Sequence, residues 1–170
     1  MPAPSRVLIR AVEICSRETW VRETNGKNDS PRIREYLAVC GLFPPEPYCG
    51  CFAGWGILEA CEDLKCKLKA RYYDAYTPDF YRRMPVKLHS SRDRIQRGDL
   101  FFKYNKLLKR ISHVGFVSVD LQNGRFGTIE GNTDLSGSRE GDGVYAGWRT
   151  NTDEIVFARF LDEHVDWAPK

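Results

Sequence analysis

The nucleophilic and acid–base options of this 170-residue chain lie in six cysteines (Cys15, Cys40, Cys49, Cys51, Cys61, Cys66) and three histidines (His89, His113, His164). Cys49 is set apart by its position. It follows Phe43-Pro44-Pro45-Glu46-Pro47, where the prolines hold the chain extended, and it opens an apolar run expected to be helical through Trp55, Leu58 and Ala60 towards Leu64. A thiol at a helix N-terminus faces unpaired N–H groups and the positive end of the helix dipole. Both lower its pKa, and the thiolate is the form that attacks. The same N–H groups suit the oxyanion of an attacked carbonyl. Cys51 points elsewhere on a helix, and the other four cysteines fall in helical patterns and read as packing. Cys49-x-Cys51 and Cys61-x4-Cys66 lack the CxxC spacing of zinc ribbons and thioredoxin motifs. An even cysteine count would fit three disulfides, but a bridged Cys49 could not attack anything.

A thiolate nucleophile needs an imidazole base, itself oriented by a carboxylate or amide. His89 lies in an irregular basic stretch and His164 in an acidic tail. His113 opens the apolar strand HVGFVSVD, where it would stand at the sheet edge nearest a docked helix. A lone histidine at a strand start is more often structural, so the partner matters. Glu130 and Asn132, in TIEGNT, lie on the next strand. A two-residue Asn123-Gly124 turn pairs Gln122 with Arg125, which sets Glu130 opposite Val117 and Asn132 opposite Gly115. Both share the pleat face of His113, but Glu130 would be roughly 13 Å away along the strand and Asn132 about half that. The register favours Asn132. Contact between His113 and Glu130 requires a bulge or a wider turn.

The elements that must position these residues change character along the chain. Residues 5–23 recur with helical period, and Asn25-Gly26 stops them. Asp29 or Ser30 caps a second helix with Pro31 at its first position, ending at Gly41. Residues 70–97 read as irregular, with a short helix from Thr77-Pro78. Strands follow at 98–103, 113–120, 125–130, 144–149 and 155–160. Helices first and antiparallel strands afterwards make an α+β domain rather than an alternating nucleotide-binding sheet, and no Gly-rich phosphate loop occurs.

Composition bounds the rest. At 19.6 kDa, 42% hydrophobic and 29% charged, the chain fits one globular domain, residues 1–170. No stretch approaches the ~20 apolar residues of a membrane helix, so no membrane insertion is expected. Arg10 and Glu13 break any signal core at the N-terminus, so Sec-type export is not expected. Residues 61–110 hold 14 lysines and arginines against 6 carboxylates, whereas the remainder holds 12 against 17. Such a belt suits an anionic polymer or a merely solvated face. Nucleic-acid binding is not the favoured use.

The motifs PYCGCFAGW, GDLFFK, SHVGFV and TIEGNT, in this order, resemble the CHAP branch of the NlpC/P60-type cysteine peptidases. GKNDSPRIREYLAVCGL is similar to the stretch that precedes the cysteine in many members. The likeness covers about residues 10–150. It implies a papain-like fold, with N-terminal helices packed on a C-terminal antiparallel sheet and a basic, aromatic-rich insertion at about 65–97. It implies Cys49 as nucleophile, His113 as base, and Glu130 and Asn132 as the groups that orient the imidazole, favouring Glu130 where the register favours Asn132. Tyr48, Asn28 and Trp55, within or beside the matching motifs, are expected to contact substrate.

The implied function is cysteine-dependent hydrolysis of an amide bond in peptidoglycan, as amidase or endopeptidase, through a thioester and with no metal or organic cofactor required. The implied setting is a monomer made in the bacterial cytoplasm that acts on the cell wall after non-Sec export or phage-mediated release, with an immunity protein or secretion or virion machinery as possible partners. The alternatives on the same fold are a papain-like acyltransferase or transglutaminase, and a catalytically idle wall-binding or assembly module.

Overall fold

The computed structural model describes residues 2–134, 136–138 and 140–169. Its first helix, α1 (Arg6–Ser16), starts where the Ser5 hydroxyl accepts the Val7 N–H and buries Val7, Leu8, Ala11, Val12 and Cys15 along one stripe. It ends earlier than the periodicity suggests. Trp20, the last apolar residue of that pattern, is 67% exposed, and Arg22 instead forms an isolated bridge to Gly143. Helix α2 (Pro31–Ala38) has the expected start: Ser30 caps the Ile33 N–H and Pro31 occupies the first turn, where its missing N–H does no harm.

Helix α3 (Cys49–Asp63) is buried on nearly every side, as its lack of a polar face requires. Glycines admit its neighbours: a Cβ at Gly56 would lie 2.3 Å from the Cys15 sulfur, and one at Gly50 would lie 2.3 Å from the Asp74 carbonyl oxygen. Helix α1 and the segment after residue 70 therefore rest directly on α3.

The chain continues through β1 (Cys66–Leu68), α4 (Thr77–Arg83), β2 (Val86–Leu88), β3 (Leu100–Asn105), β4 (Arg110–Gln122), β5 (Arg125–Thr133), β6 (Gly143–Thr150), β7 (Ile155–Arg159) and β8 (Val165–Trp167). Six strands form an antiparallel sheet in the order β2-β7-β3-β4-β5-β6, and β1 pairs separately with β8. The architecture is mixed α+β. Strand alternation splits the core: Leu100, Phe102, Val114 and Phe116 join the helices, while Phe101, Val117, Phe126 and Phe157 form a second cluster with Leu88 and Ile95. Among the described residues no helix is long and apolar enough to cross a membrane.

Residues 65–97 pack into this frame, and 70–97 are irregular as expected apart from the short helix that begins at Thr77 and one edge strand. They supply β1, the edge strand β2 and α4, whose Thr77 hydroxyl donates to the Ile111 carbonyl and whose Phe80 and Tyr81 pack edge-on against Phe102. Several of their basic side chains are matched locally, Arg82 by Asp79, Arg83 by Asp74 and Arg94 by Asp120.

Candidate active site

Cys49 is the first residue of α3 and only 5% exposed. Tyr48 precedes it as N-cap without lending a side-chain hydrogen bond, so no side chain competes for the first-turn N–H groups. Burial pushes the thiol pKa up. The hydrogen bond and charge of His113 overcome that, helped by the backbone N–H groups of Val114 and Gly50, and the thiol ends below its ordinary value. Cys51, by contrast, is fully buried, and its contact with Cys40 and its burial push its pKa far up. The two neighbouring thiols thus differ in kind.

His113 is the fourth residue of β4, an interior strand, rather than the first residue of a strand at the sheet edge. Its imidazole is 1% exposed, with Nε2 2.7 Å from Glu130 Oε1. Nδ1 has no nitrogen or oxygen partner, which leaves it for the thiol. Burial disfavours the imidazolium, but Cys49 and Glu130 outweigh it and raise the His113 pKa to about 9. Cysteine and histidine therefore favour the thiolate–imidazolium pair together.

The contact with Glu130 arises from register shifts within β4. The turn pairs Gln122 with Arg125 as expected, but Val119 then pairs with Gly127 and Val117 with Thr128, so the register slips twice. Phe116 consequently faces Ile129, which brings Glu130 level with Gly115, only two residues from His113. Gly115 lets the carboxylate pass: a Cβ there would lie 2.8 Å from Glu130 Cγ and 2.7 Å from the Phe101 ring.

Glu130 is itself held on three sides. Thr128 donates to Oε2 at 2.6 Å, and Arg149 of β6 forks onto both oxygens, Nε to Oε2 at 2.9 Å and Nη2 to Oε1 at 2.5 Å. Burial would raise this carboxyl pKa, but His113 and then Arg149 bring it down to about 2. Arg149 also donates to the Gly137 carbonyl at 3.0 Å, and its guanidinium lies 5.2 Å from the Phe101 ring. Neither Arg149, Thr128 nor Gly115 emerges from sequence reasoning as a functional residue. The one available signal is a charged residue within the strand pattern Val144 to Arg149, whose target no spacing rule identifies.

Asn132 does not orient the imidazole. It adopts φ +54° beside the irregularity between Glu130 and Thr133, is 1% exposed, and leaves its Oδ1 without a partner. Two further expectations are corrected by burial. Trp55 is 5% exposed, packed 5.0 Å from the Tyr36 ring and 6.2 Å from Phe52, and Tyr48 is fully buried against Tyr36. Tyr48 leaves no surface to a substrate, and Trp55, six residues along α3 from Cys49, spends its ring on the cluster with Tyr36 and Phe52. Asn28 is partly exposed and its Nδ2 donates to the Pro45 carbonyl at 2.7 Å. His89 is exposed, and His164 accepts the Leu161 N–H, so neither joins the site.

Two cavities meet at Pro47. One, of about 320 Å³, is lined by Cys49, Tyr76, Thr77, Arg110 and Ser112. The other, of about 540 Å³, is lined by Asn28 and Asn132 among others. Among the described residues no group of three or more His, Cys, Asp or Glu side chains converges as metal ligands. The arrangement is a lowered-pKa thiol at a helix start, an imidazole between thiol and carboxylate, and open space on the thiol. That set of groups is suited to nucleophilic acyl transfer.

No protein-family model matches the sequence, and no curated protein matches it. Among solved structures, the chain is similar to one described as the crystal structure of Ly7917, with 12% identity and a TM-score of 0.48. That likeness covers 89% of this chain, which spans about three fifths (62%) of the Ly7917 chain.

Proposed function

We propose that this protein is a cysteine-dependent hydrolase of peptidoglycan, cleaving an amide bond as amidase or endopeptidase on a papain-like framework. The observation that carries the reading is the buried line from Cys49 at the head of α3 through His113 to Glu130. The wall as substrate rests on the motif likeness to CHAP and NlpC/P60 enzymes.

The chemistry follows from the groups in place. Cys49 thiolate attacks the amide carbonyl, and the first-turn N–H groups of α3 stabilise the oxyanion. His113, protonated at Nδ1, gives its proton to the leaving amine, and a thioester remains. The neutral imidazole then takes a proton from water, which attacks the thioester and frees Cys49. Throughout, Glu130 fixes the ring through Nε2 and offsets its positive charge.

Digestion of purified peptidoglycan followed by mass spectrometry tests this. New muramic acid ends with free L-alanine amines identify an amidase, and new peptide ends an endopeptidase. Cys49→Ala abolishes release while Cys51→Ser retains most of it. Full release by folded Cys49→Ala protein would sink the assignment.

A further inference from the structure

Helix α3 carries three cysteines, and the two that the mechanism does not use each touch a second thiol. Cys51 is in hydrogen-bonding contact with Cys40, just past the end of α2, and Cys61 with Cys66 of β1. All six thiols are free.

The first contact follows from how α2 and α3 pack. The guanidinium of Arg32 lies 4.8 Å from the Trp55 ring, and one turn further on the Tyr36 ring lies 5.0 Å from both Trp55 and Phe52. The two helices therefore pass one another in opposite directions. Side chains four residues apart share a helical face. One more turn along from Tyr36 reaches Cys40, and one turn back from Trp55 reaches Cys51. The end of α2 keeps Cys40 in this row: its N–H donates to the Leu37 carbonyl at 3.1 Å, and Gly41, at φ +69°, then turns the chain away.

The two thiols differ as an exchanging pair must. Cys40 is partly exposed and Cys51 fully buried. The hydrogen bond from Cys51 holds the Cys40 thiol below its ordinary value, and the Arg71 guanidinium, which also hydrogen-bonds to Cys40, works with it against burial. An accessible thiolate beside a resolving thiol is the arrangement of a redox-active dithiol. Cys61 and Cys66 lack it. Burial pushes both of those thiols up, Cys61 to about 12, so neither supplies the thiolate that begins exchange.

We infer that Cys40 and Cys51 form a redox-active dithiol that reacts with a small disulfide such as oxidised glutathione and closes into a bridge between the end of α2 and the first turn of α3. The Cys40 thiolate attacks one sulfur of the small disulfide and expels the other half as a thiolate, leaving a mixed disulfide on Cys40. The Cys51 sulfur then attacks the Cys40 sulfur, and the Cys51 proton leaves with the second half as a thiol. The protein dithiol is oxidised to a disulfide and the small disulfide is reduced to its two halves. Cys49 takes no part, because its sulfur is engaged with His113. Leu42, two residues after Cys40, and Cys49, two residues before Cys51, both line the cavity of about 320 Å³, so the bridge joins two of its walls. Neither the contact nor its oxidation depends on what Cys49 attacks.

The test incubates fully reduced, full-length Cys49→Ala protein, in which the site thiol cannot compete, with oxidised glutathione. Mass spectrometry of a non-reduced chymotryptic digest, which cuts between the two cysteines at Tyr48, is expected to show the Cys40 peptide joined to the Cys51 peptide. That bridge should form at least about tenfold faster than one between Cys61 and Cys66. The Cys49→Ala/Cys51→Ser variant, checked for folding by circular dichroism, is expected to halt at a glutathione adduct on Cys40. Faster bridging of Cys61 with Cys66, a Cys40 that stays free for alkylation, or a Cys51→Ser variant that takes up no adduct at Cys40 overturns the inference.

Discussion

Arginines of β6 and β7 each fork onto a buried carboxylate, and the surroundings give these two forks opposite uses. In one, Arg159 of β7 holds Asp99 through Nε at 2.7 Å and Nη2 at 2.8 Å, with neither side chain exposed. Its remaining donors go to the carbonyls of Pro2 and Arg94, so the fork ties the N-terminal segment and the loop before β3 to the sheet. In the other, Arg149 holds Glu130, but the carboxylate keeps one further partner, His113. The first fork is closed by backbone, whereas the second passes its charge to an imidazole and from there to a thiol. Their titrations diverge accordingly. Burial dominates at Asp99, and its pKa rises to about 6 despite Arg159. At Glu130 burial is overcome by two cationic neighbours, and the pKa falls to about 2.

The comparison breaks most readily at Glu130. Glu130→Gln is expected to lower kcat on peptidoglycan by roughly a hundredfold or more, because an amide can settle the imidazole in the wrong tautomer and does not stabilise its charge. The thermal midpoint should move far less than the rate. Steady-state kinetics beside differential scanning calorimetry reads both, and an unchanged kcat removes Glu130 from the site.

Arg159→Met should do the reverse. Removing one partner of a buried pair leaves an uncompensated charge and destabilises by about 3–5 kcal/mol, which for a chain of this size is a fall of ~10 °C in Tm. Activity per folded molecule, measured well below that Tm, should stay near native. A selective loss of kcat would place Asp99 in the chemistry.

Arg149→Met is expected to have a smaller effect on rate, about tenfold, with a signature that a structural role would not produce. Native kcat/KM should fall as pH rises through about 9, where His113 loses the proton it must donate. Without the guanidinium, Glu130 acts on the imidazolium unopposed, and that alkaline limb should move upward. If Arg149→Met slows the reaction without moving the limb, the arginine only packs.

The smallest effect is on stability against pH, and the two carboxylates have opposite signs. Asp99, with its folded pKa raised, contributes stability that is present below its unfolded value and lost as pH rises towards about 6. Glu130, with its folded pKa lowered, contributes stability present above its unfolded value and lost as pH falls towards about 2. Denaturant titrations of Asp99→Asn should show the pH 4–6 slope flattened, and those of Glu130→Gln the acid slope.

Much of the frame is legible in the residues. Ser30-Pro31 marks the start of α2 and Pro47 the approach to α3, since caps and prolines act over a few positions. Asn123-Gly124 gives the hairpin and its first pair. The strands β1, β2 and β8 are not legible, because three-residue edge pairings have too little periodicity to stand out. The extent of α1 is overread through Trp20, an apolar residue that the fold leaves outside.

At the site, the sequence by itself determines that Cys49 begins a helix and that His113 and Glu130 sit on adjacent strands of one hairpin. Local rules suffice for that, because helix starts and turns depend on neighbouring residues. Only the tertiary structure decides that Glu130 and not Asn132 meets the imidazole. Two one-residue slips in β4, a gap at Gly115 and an arginine from β6 combine there, and each depends on what packs against the strand. The same packing takes Tyr48 and Trp55 into the core and buries Asn132 at the irregularity between Glu130 and Thr133.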